Sequence, residues 1–243
     1  MLIPKKSLGQ NFLLDRNICK KIVNTIKIKD EIILEIGPGT GQLTKEILLK
    51  KPKKLILIEK DSKLCQLLKE KFSNLNNIEI LNEDALHFIY ETNKKINIIS
   101  NLPYNISTKL IIYLLKNYKN INFLILMLQK EVAIKMDTEL SKKNKLNFFI
   151  EFLSDYKILF NVSNKVFYPK PKIKSSVISI KPKNEKVDFE KLENFNNKIF
   201  KFKRKKIKNV INFKIDNKNL QKILNKRSED LKTSELKYLF YKF

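Results

Sequence analysis

An α/β domain built on a mostly parallel, Rossmann-like sheet, followed by a small all-α domain, is the fold class this chain predicts. Three observations predict it. Short apolar runs at 31–36, 54–58, 78–81, 96–100 and 121–127 alternate with helical periodicity, which a parallel sheet with helices on both faces accommodates. The runs Tyr156 to Val162 and Ser175 to Ile180 flank the Pro169 and Pro171 loop as a hairpin-type pair that closes the sheet antiparallel. From about Asn184 the strand signals vanish, and helices are expected over 188–202, 203–213, 217–225 and 234–241. The domains therefore read as 1–182 and 183–243.

In chain order, Asn17 to Ile28 reads as an amphipathic helix. Glu31 to Leu43, EIILEIGPGTGQL, is an apolar strand followed at once by Gly37, Gly39 and Gly41 and then by a helix-compatible segment from Gln42 to Leu49. Glycines at that place let the backbone approach a ligand closely, and a following helix start offers unpaired N–H groups to an anion. A dinucleotide fingerprint would need its third glycine at position 42, which is Gln42, and a phosphate loop would need Gly-Lys-Ser/Thr, which is absent. Both rival nucleotide readings weaken. The strand at 54–58 ends in Glu59, where an acidic tip residue can hold two ribose hydroxyls. The strand at 78–81 leads to Glu83-Asp84-Ala85, where a carboxylate can accept from an adenine amino group. Right-handed crossovers bring these strand tips to one edge.

The strand at 96–100 breaks into Asn101-Leu102-Pro103-Tyr104, a group suited to gripping an exocyclic amine on a flat ring. Asn101 offers a side-chain acceptor and Leu102 a backbone carbonyl, Pro103 fixes φ, and Tyr104 gives a face for stacking. Two acceptors match the two N–H bonds of an amino group. Chemistry on adenine is the reading; the bland alternative for the tetrapeptide alone is a strand ending in a turn.

Composition bounds the rest. The 243 residues suffice for a large domain plus a small one. No stretch offers about 18 uninterrupted apolar residues and the start lacks a leader-like apolar core, so a cytoplasmic protein is expected. Cys19 and Cys65 fall in helix-like segments without a CxxC spacing, which points to reduced, buried thiols and to no zinc site. His87 is the sole histidine and reads as a loop or surface residue; no nucleophile elbow accompanies it. The formal charge of +25, from 50 Lys plus Arg against 25 Asp plus Glu, favours a polyanionic partner through counterion release. Arg occurs only at 16, 204 and 227, so part of the Lys excess reflects compositional bias; clustering at Lys201-Phe202-Lys203-Arg204-Lys205-Lys206-Ile207-Lys208 is the specific signal, on an expected helix.

The chain resembles the ribosomal RNA small subunit adenine dimethyltransferase family. The residues that carry the resemblance span nearly its whole length: Gly9-Gln10-Asn11-Phe12-Leu13, Glu35-Ile36-Gly37-Pro38-Gly39-Thr40-Gly41, Glu59, Asp84-Ala85, Asn101 through Ser107, Met127 through Val132, and Phe167-Tyr168-Pro169-Lys170-Pro171-Lys172-Ile173-Lys174-Ser175. The resemblance implies a class I methyltransferase fold and S-adenosylmethionine as cofactor. It implies cofactor contacts from Asn11, Leu13, Gly37, Gly39, Glu59, Asp84 and Asn101, and catalysis at Asn101, Leu102, Pro103 and Tyr104. The target base and its RNA would be held by Phe12, Tyr104, Lys203, Arg204, Lys205 and Lys206. Asn11, Phe12 and Leu13 read as a lid that orders when RNA binds. The implied reaction is N6,N6-dimethylation of two adjacent adenines in the 3'-terminal helix loop of small-subunit rRNA. A monomer acting on a 30S assembly intermediate is implied, with no metal and no membrane. A large-subunit rRNA resistance methylase, a DNA N6-adenine methylase and an assembly checkpoint remain as alternatives. Glu139 to Leu146 reads ELSKKNKL where the family carries a Tyr-Gly-Arg-Leu-like step, and the C-terminal part is compact.

Overall fold

A computed structural model describes residues 4–5, 8–88, 94–116, 120–183, 187–202, 204–212 and 218–243. It divides into two compact units, one of residues 1–133 with 157–182 and the other of residues 134–156 with 183–243.

In the first unit a short strand β1 (Phe12–Leu13) precedes helix α1 (Arg16–Val23), whose N-cap Asp15 accepts from the N–H groups of Asn17 and Ile18. Cys19, Ile22 and Val23 form its buried stripe. The helix stops short of the expected Ile28 because the N–H and the hydroxyl of Thr25 both donate to the Ile22 carbonyl, at 3.0 and 2.7 Å, and close the last turn. There follow β2 (Ile32–Ile36), α2 (Gln42–Leu48), β3 (Lys54–Ile58), α3 (Ser62–Lys71), β4 (Ile78–Leu81), β5 (Ile96–Asn101), α4 (Ser107–Lys116), β6 (Ile121–Gln129) and α5 (Lys130–Met136).

The strands that follow α5 are β7 (Ser154–Val162), β8 (Phe167–Tyr168) and β9 (Ser175–Pro182). The main sheet has the order β4-β3-β2-β5-β6-β9-β7. Strands β2 to β6 run parallel, and β9 lies antiparallel to β6. Consecutive residues of β2, β3 and β5 are buried, so both faces of the sheet are covered, as a parallel sheet requires. On one face Ile33, Leu55, Leu57, Ile99 and Ile125 share a core with Cys19 and Ile22 of α1, Leu43 and Ile47 of α2 and Leu68 of α3. From β2 the chain winds outward to β3 and β4, then returns to place β5 on the other side of β2. Ligands of open α/β sheets bind beyond the carboxyl ends of the strands at such a reversal.

Apart from the start of β7, the long elements described in the second unit are helices: α6 (Lys145–Leu153), α7 (Phe189–Phe200), α8 (Lys218–Leu224) and α9 (Thr233–Lys242). Its centre is aromatic, with Phe148 edge-on to Phe152 at 5.6 Å and Phe240 edge-on to Phe152 at 5.1 Å and to Phe195 at 5.7 Å. Asn144 and Asn147 cap α6 reciprocally.

The helix expected over 203–213 does not form among its described residues. Residues 204–206 are turn and bridge, Lys206 pairs with Arg227 in an isolated antiparallel bridge, and only Ile207–Asn209 make a turn of 3-10 helix. The reason is physical: crowded like charges repel along a helix, and the segment's one deep anchor, the fully buried Ile207, supplies no apolar stripe. Lys203 and residue 213 lie outside the described residues.

Candidate active site

The carboxyl ends of β2, β3, β4 and β5 open on one cleft, lined by Gly37, Gly39, Glu59, Asp84, Asn101, Leu102, Pro103 and Tyr104 together with Asn11, Phe12 and Leu13. The expected acidic and glycine positions of the first unit are therefore brought together. Arg204, Lys205 and Lys206 belong to the second unit, where all three are exposed.

The glycine loop is shaped by backbone conformations that side chains avoid. Gly37 and Gly39 have φ of +63° and +58°, and a Cβ on Gly39 would meet the Phe12 ring at 2.8 Å. Phe12 thus lies directly on the loop. The N–H of Gly39 donates to Glu59 Oε2 at 3.2 Å, while Asp61 N–H donates to Glu59 Oε1 at 2.9 Å. Glu59 is only 6% exposed, and burial pushes its carboxyl above the ordinary value despite those two bonds. Asp84 is differently held: Lys60 Nζ donates to Oδ2 at 2.8 Å and Leu86 N–H to Oδ1 at 3.0 Å, and the Lys60 bond leads in keeping its carboxyl below the usual range.

Asn101 carries the strongest clue. Its Nδ2 donates to the Asn11 carbonyl at 3.0 Å, whereas its Oδ1 is buried with no partner. A buried acceptor without a donor costs roughly 1–3 kcal/mol, so such an atom calls for a ligand. The Asn11 side chain turns away, donating to the Gly9 carbonyl at 3.2 Å, so the backbone of Asn11 rather than its amide orients Asn101. Leu102 is buried and its N–H donates to the Met127 carbonyl at 3.0 Å. Pro103 sits across the cleft floor, 3.6 Å from where a Gly37 Cβ would stand. Tyr104 is half-buried, and burial raises its phenol above the ordinary value.

Sequence reasoning missed the fixtures behind these groups. Phe12 and Leu13 pair antiparallel with Tyr168 and Phe167, so the segment expected to act as a lid is anchored at its C-terminal end, and Leu13 is buried in the main core. Lys5 Nζ lies 2.9 Å from Asp61 Oδ2, to which Gln10 Nε2 also donates at 3.2 Å. Burial alone would raise the Asp61 carboxyl, but the Lys5 and Gln10 bonds bring it below its usual value. Glu35 lines the cleft while its Oε2 accepts from Thr44 Oγ1 at 2.7 Å. The motifs Gly9 to Leu13 and Phe167 to Ser175 were visible, but nothing in them announced that they pair with each other.

Residues 2–239 match the ribosomal RNA adenine dimethylase family. The chain belongs to that family. As a member it is an S-adenosylmethionine-dependent rRNA adenine dimethyltransferase with a class I methyltransferase fold. Ribosomal RNA small subunit methyltransferase A of Malacoplasma penetrans is 42% identical over 230 residues, covering 92% of this chain and 83% of the relative. The protein of the same name from Hydrogenobaculum is 37% identical over 99% of this enzyme and 93% of its own length. Among solved structures, a dimethyladenosine transferase from Plasmodium falciparum superposes with a TM-score of 0.80 at 26% identity, covering 95% of this chain and 98% of that one. The 23S rRNA methyltransferase ErmE, at 22% identity and a TM-score of 0.78 over 95% of this enzyme and 98% of that chain, shares the fold. Among the described residues no helix is long and apolar enough to cross a membrane, and no group of three or more His, Cys, Asp or Glu could hold a metal ion.

Proposed function

We propose that this enzyme dimethylates N6 of two adjacent adenines in the 3'-terminal helix loop of small-subunit rRNA, acting as a cytoplasmic monomer on a 30S assembly intermediate. The observation that carries the site assignment is the buried, unpartnered Oδ1 of Asn101, a residue in the lining of a cleft whose glycine loop and acidic strand tips suit a nucleoside. The names of the quoted relatives support the small-subunit target.

The residues present fit S-adenosylmethionine. Glu59 would hold the ribose hydroxyls by charge-assisted bonds and Asp84 the adenine amino group, with Gly37 and Gly39 in the lining of the same cleft. Leu13 and Asn11 close the same cleft. When bound, the cofactor supplies a methyl group activated by its sulfonium sulfur.

Adenine N6 is a poor nucleophile because its lone pair is delocalised into the ring. Asn101 Oδ1 and the Leu102 carbonyl would accept its two hydrogens and favour a pyramidal nitrogen, while Pro103 fixes their spacing and Tyr104 stacks on the everted ring. No general base is needed: the nitrogen becomes strongly acidic once alkylated, and the proton leaves to water. Phe12, against the glycine loop, would border the target base. In the second unit, Arg204, Lys205 and Lys206, with Lys203, would neutralise rRNA phosphates. Beside them Phe202 is 43% exposed, with Lys205 Nζ 4.7 Å from its ring centre.

Mass spectrometry of rRNA from cells lacking the gene, before and after complementation, tests the proposal. Two dimethyladenines restored near the 3' end of small-subunit rRNA is the expected result. Unaltered small-subunit rRNA in the deleted strain would refute it.

A further inference from the structure

The Tyr104 ring is held at both ends. On the backbone side its carbonyl accepts from Ser107 Oγ at 3.2 Å, and the Ile106 N–H closes a turn onto the Pro103 carbonyl, also at 3.2 Å. At the far side its hydroxyl lies 2.6 Å from Ser175 Oγ. Ser175 is fully buried and opens β9. It pairs in register with Gln129 at the end of β6, and the Lys174 carbonyl beside it accepts from the Lys130 N–H at 3.0 Å. Two residues earlier on β6, Met127 pairs with Asn101 and its carbonyl accepts from the Leu102 N–H. One ladder across β5, β6 and β9 therefore sets the positions of Asn101 and Ser175 from the same strand end.

That arrangement separates two tasks. The turn after Pro103 fixes where the ring begins, but not where it points. A hydrogen bond at the phenolic oxygen fixes the direction of the ring axis, and the in-plane preference of such bonds also constrains the ring's plane. A stacking face that must present an everted base to a second reactant gains from both constraints. We propose that Ser175 is a positioning residue for methyl transfer: its hydroxyl sets the plane of Tyr104 against the target adenine. The proposal rests on the reading of Tyr104 as the stacking face.

A misaligned platform affects turnover more than capture. In a chain of charge +25, phosphate contacts spread over the surface supply RNA affinity, whereas the orientation of one base governs only the productive geometry. Ser175→Ala is therefore expected to lower kcat about twofold to tenfold, the range set by the net worth of one hydrogen bond. KM for the small-subunit substrate and cofactor affinity by calorimetry stay at parental values. Tyr104→Phe removes the other partner of the same bond, so the double variant Tyr104→Phe/Ser175→Ala should be no slower than the slower single variant. Ser175→Thr, which keeps the oxygen, should recover most of the rate. Circular dichroism at the assay temperature establishes that each variant is folded, and the Tyr104→Phe arm carries the test if Ser175→Ala does not fold.

Parental kcat in Ser175→Ala or Tyr104→Phe, alongside an impaired Tyr104→Ala, would overturn the role of Ser175 and leave the stacking reading standing. Multiplying losses in the double variant would also overturn it, because Ser175 would then act through β9 and not through Tyr104. Parental activity in Tyr104→Ala would remove the stacking reading itself.

Discussion

The buried carboxyl of Glu35 should make this protein less stable as pH rises through neutrality, and replacing Glu35 by Gln should flatten that slope. Glu35 is 2% exposed, on β2 behind the glycine loop, and its carboxyl is pushed from 4.5 up to about 8. Burial is the main cause and the nearby Glu59 charge adds to it, while the Thr44 bond works the other way. Because the folded protein binds this proton more tightly than the unfolded chain, the stabilisation is complete below the unfolded value of 4.5 and is lost as pH climbs through about 8. A gap of this width sets the scale on the order of 5 kcal/mol, as the differential cost of ionising the site. Glutamine keeps an acceptor for the Thr44 hydroxyl but carries no proton to lose. Urea unfolding followed by circular dichroism at pH 5, 6, 7 and 8 measures the effect. The parent should lose stability steadily across the series, and Glu35→Gln should lose much less, its remaining slope coming from Glu59, whose carboxyl burial also raises. The many surface carboxylates and lysines cancel in the comparison. Parallel curves for the two proteins would refute the reasoning.

Three further outcomes follow from the cleft. Asn101→Ala, losing a buried acceptor that no protein donor satisfies, should slow methyl transfer about a hundredfold or more, as removal of one preorganised hydrogen-bonding group does elsewhere; single-turnover transfer to small-subunit particles at parental rate would contradict this. Glu59→Gln should weaken S-adenosylmethionine binding by about tenfold or more in calorimetry, because a carboxamide cannot accept at both ends from Gly39 and Asp61 and still receive ribose hydroxyls; unchanged affinity would remove Glu59 from the ribose site. Gly39→Ala should cost about 1–2 kcal/mol in unfolding free energy from its left-handed backbone alone, with the Phe12 ring displaced as well, and a stability equal to the parent's would show the loop to be more pliant than its φ values indicate.

The parts of this enzyme that could be read from its sequence are those where chemistry and local order coincide. Glu59 and Asn101 stand at the ends of apolar runs and Asp84 follows one by three residues, so strand position and residue type together predict a strand-tip site, and all three line the cleft. What stayed illegible depends on contacts between distant segments. Nothing near Tyr104 reveals that a serine 71 positions later meets its hydroxyl. The bond from Asn101 to the Asn11 carbonyl joins residues 90 apart through a backbone atom, which every residue possesses and no motif can advertise. The basic run after Phe200 misled for a different reason. Lysine favours helices in isolation, but here charge crowding and a bridge from Lys206 to Arg227 decide the conformation.

A carboxamide has no intrinsic preference for which of its two ends looks into a cavity; reversing it exchanges an acceptor for a donor. In this protein the choice is made by the main chain of residue 11, which claims the nitrogen and so leaves the buried oxygen without a partner. An amine would meet repulsion from the reversed amide. On the proposed reading, readiness for an amino-bearing base then depends on a stretch laid down before any strand of the main sheet, and dislodging it would free the Asn101 amide to turn over.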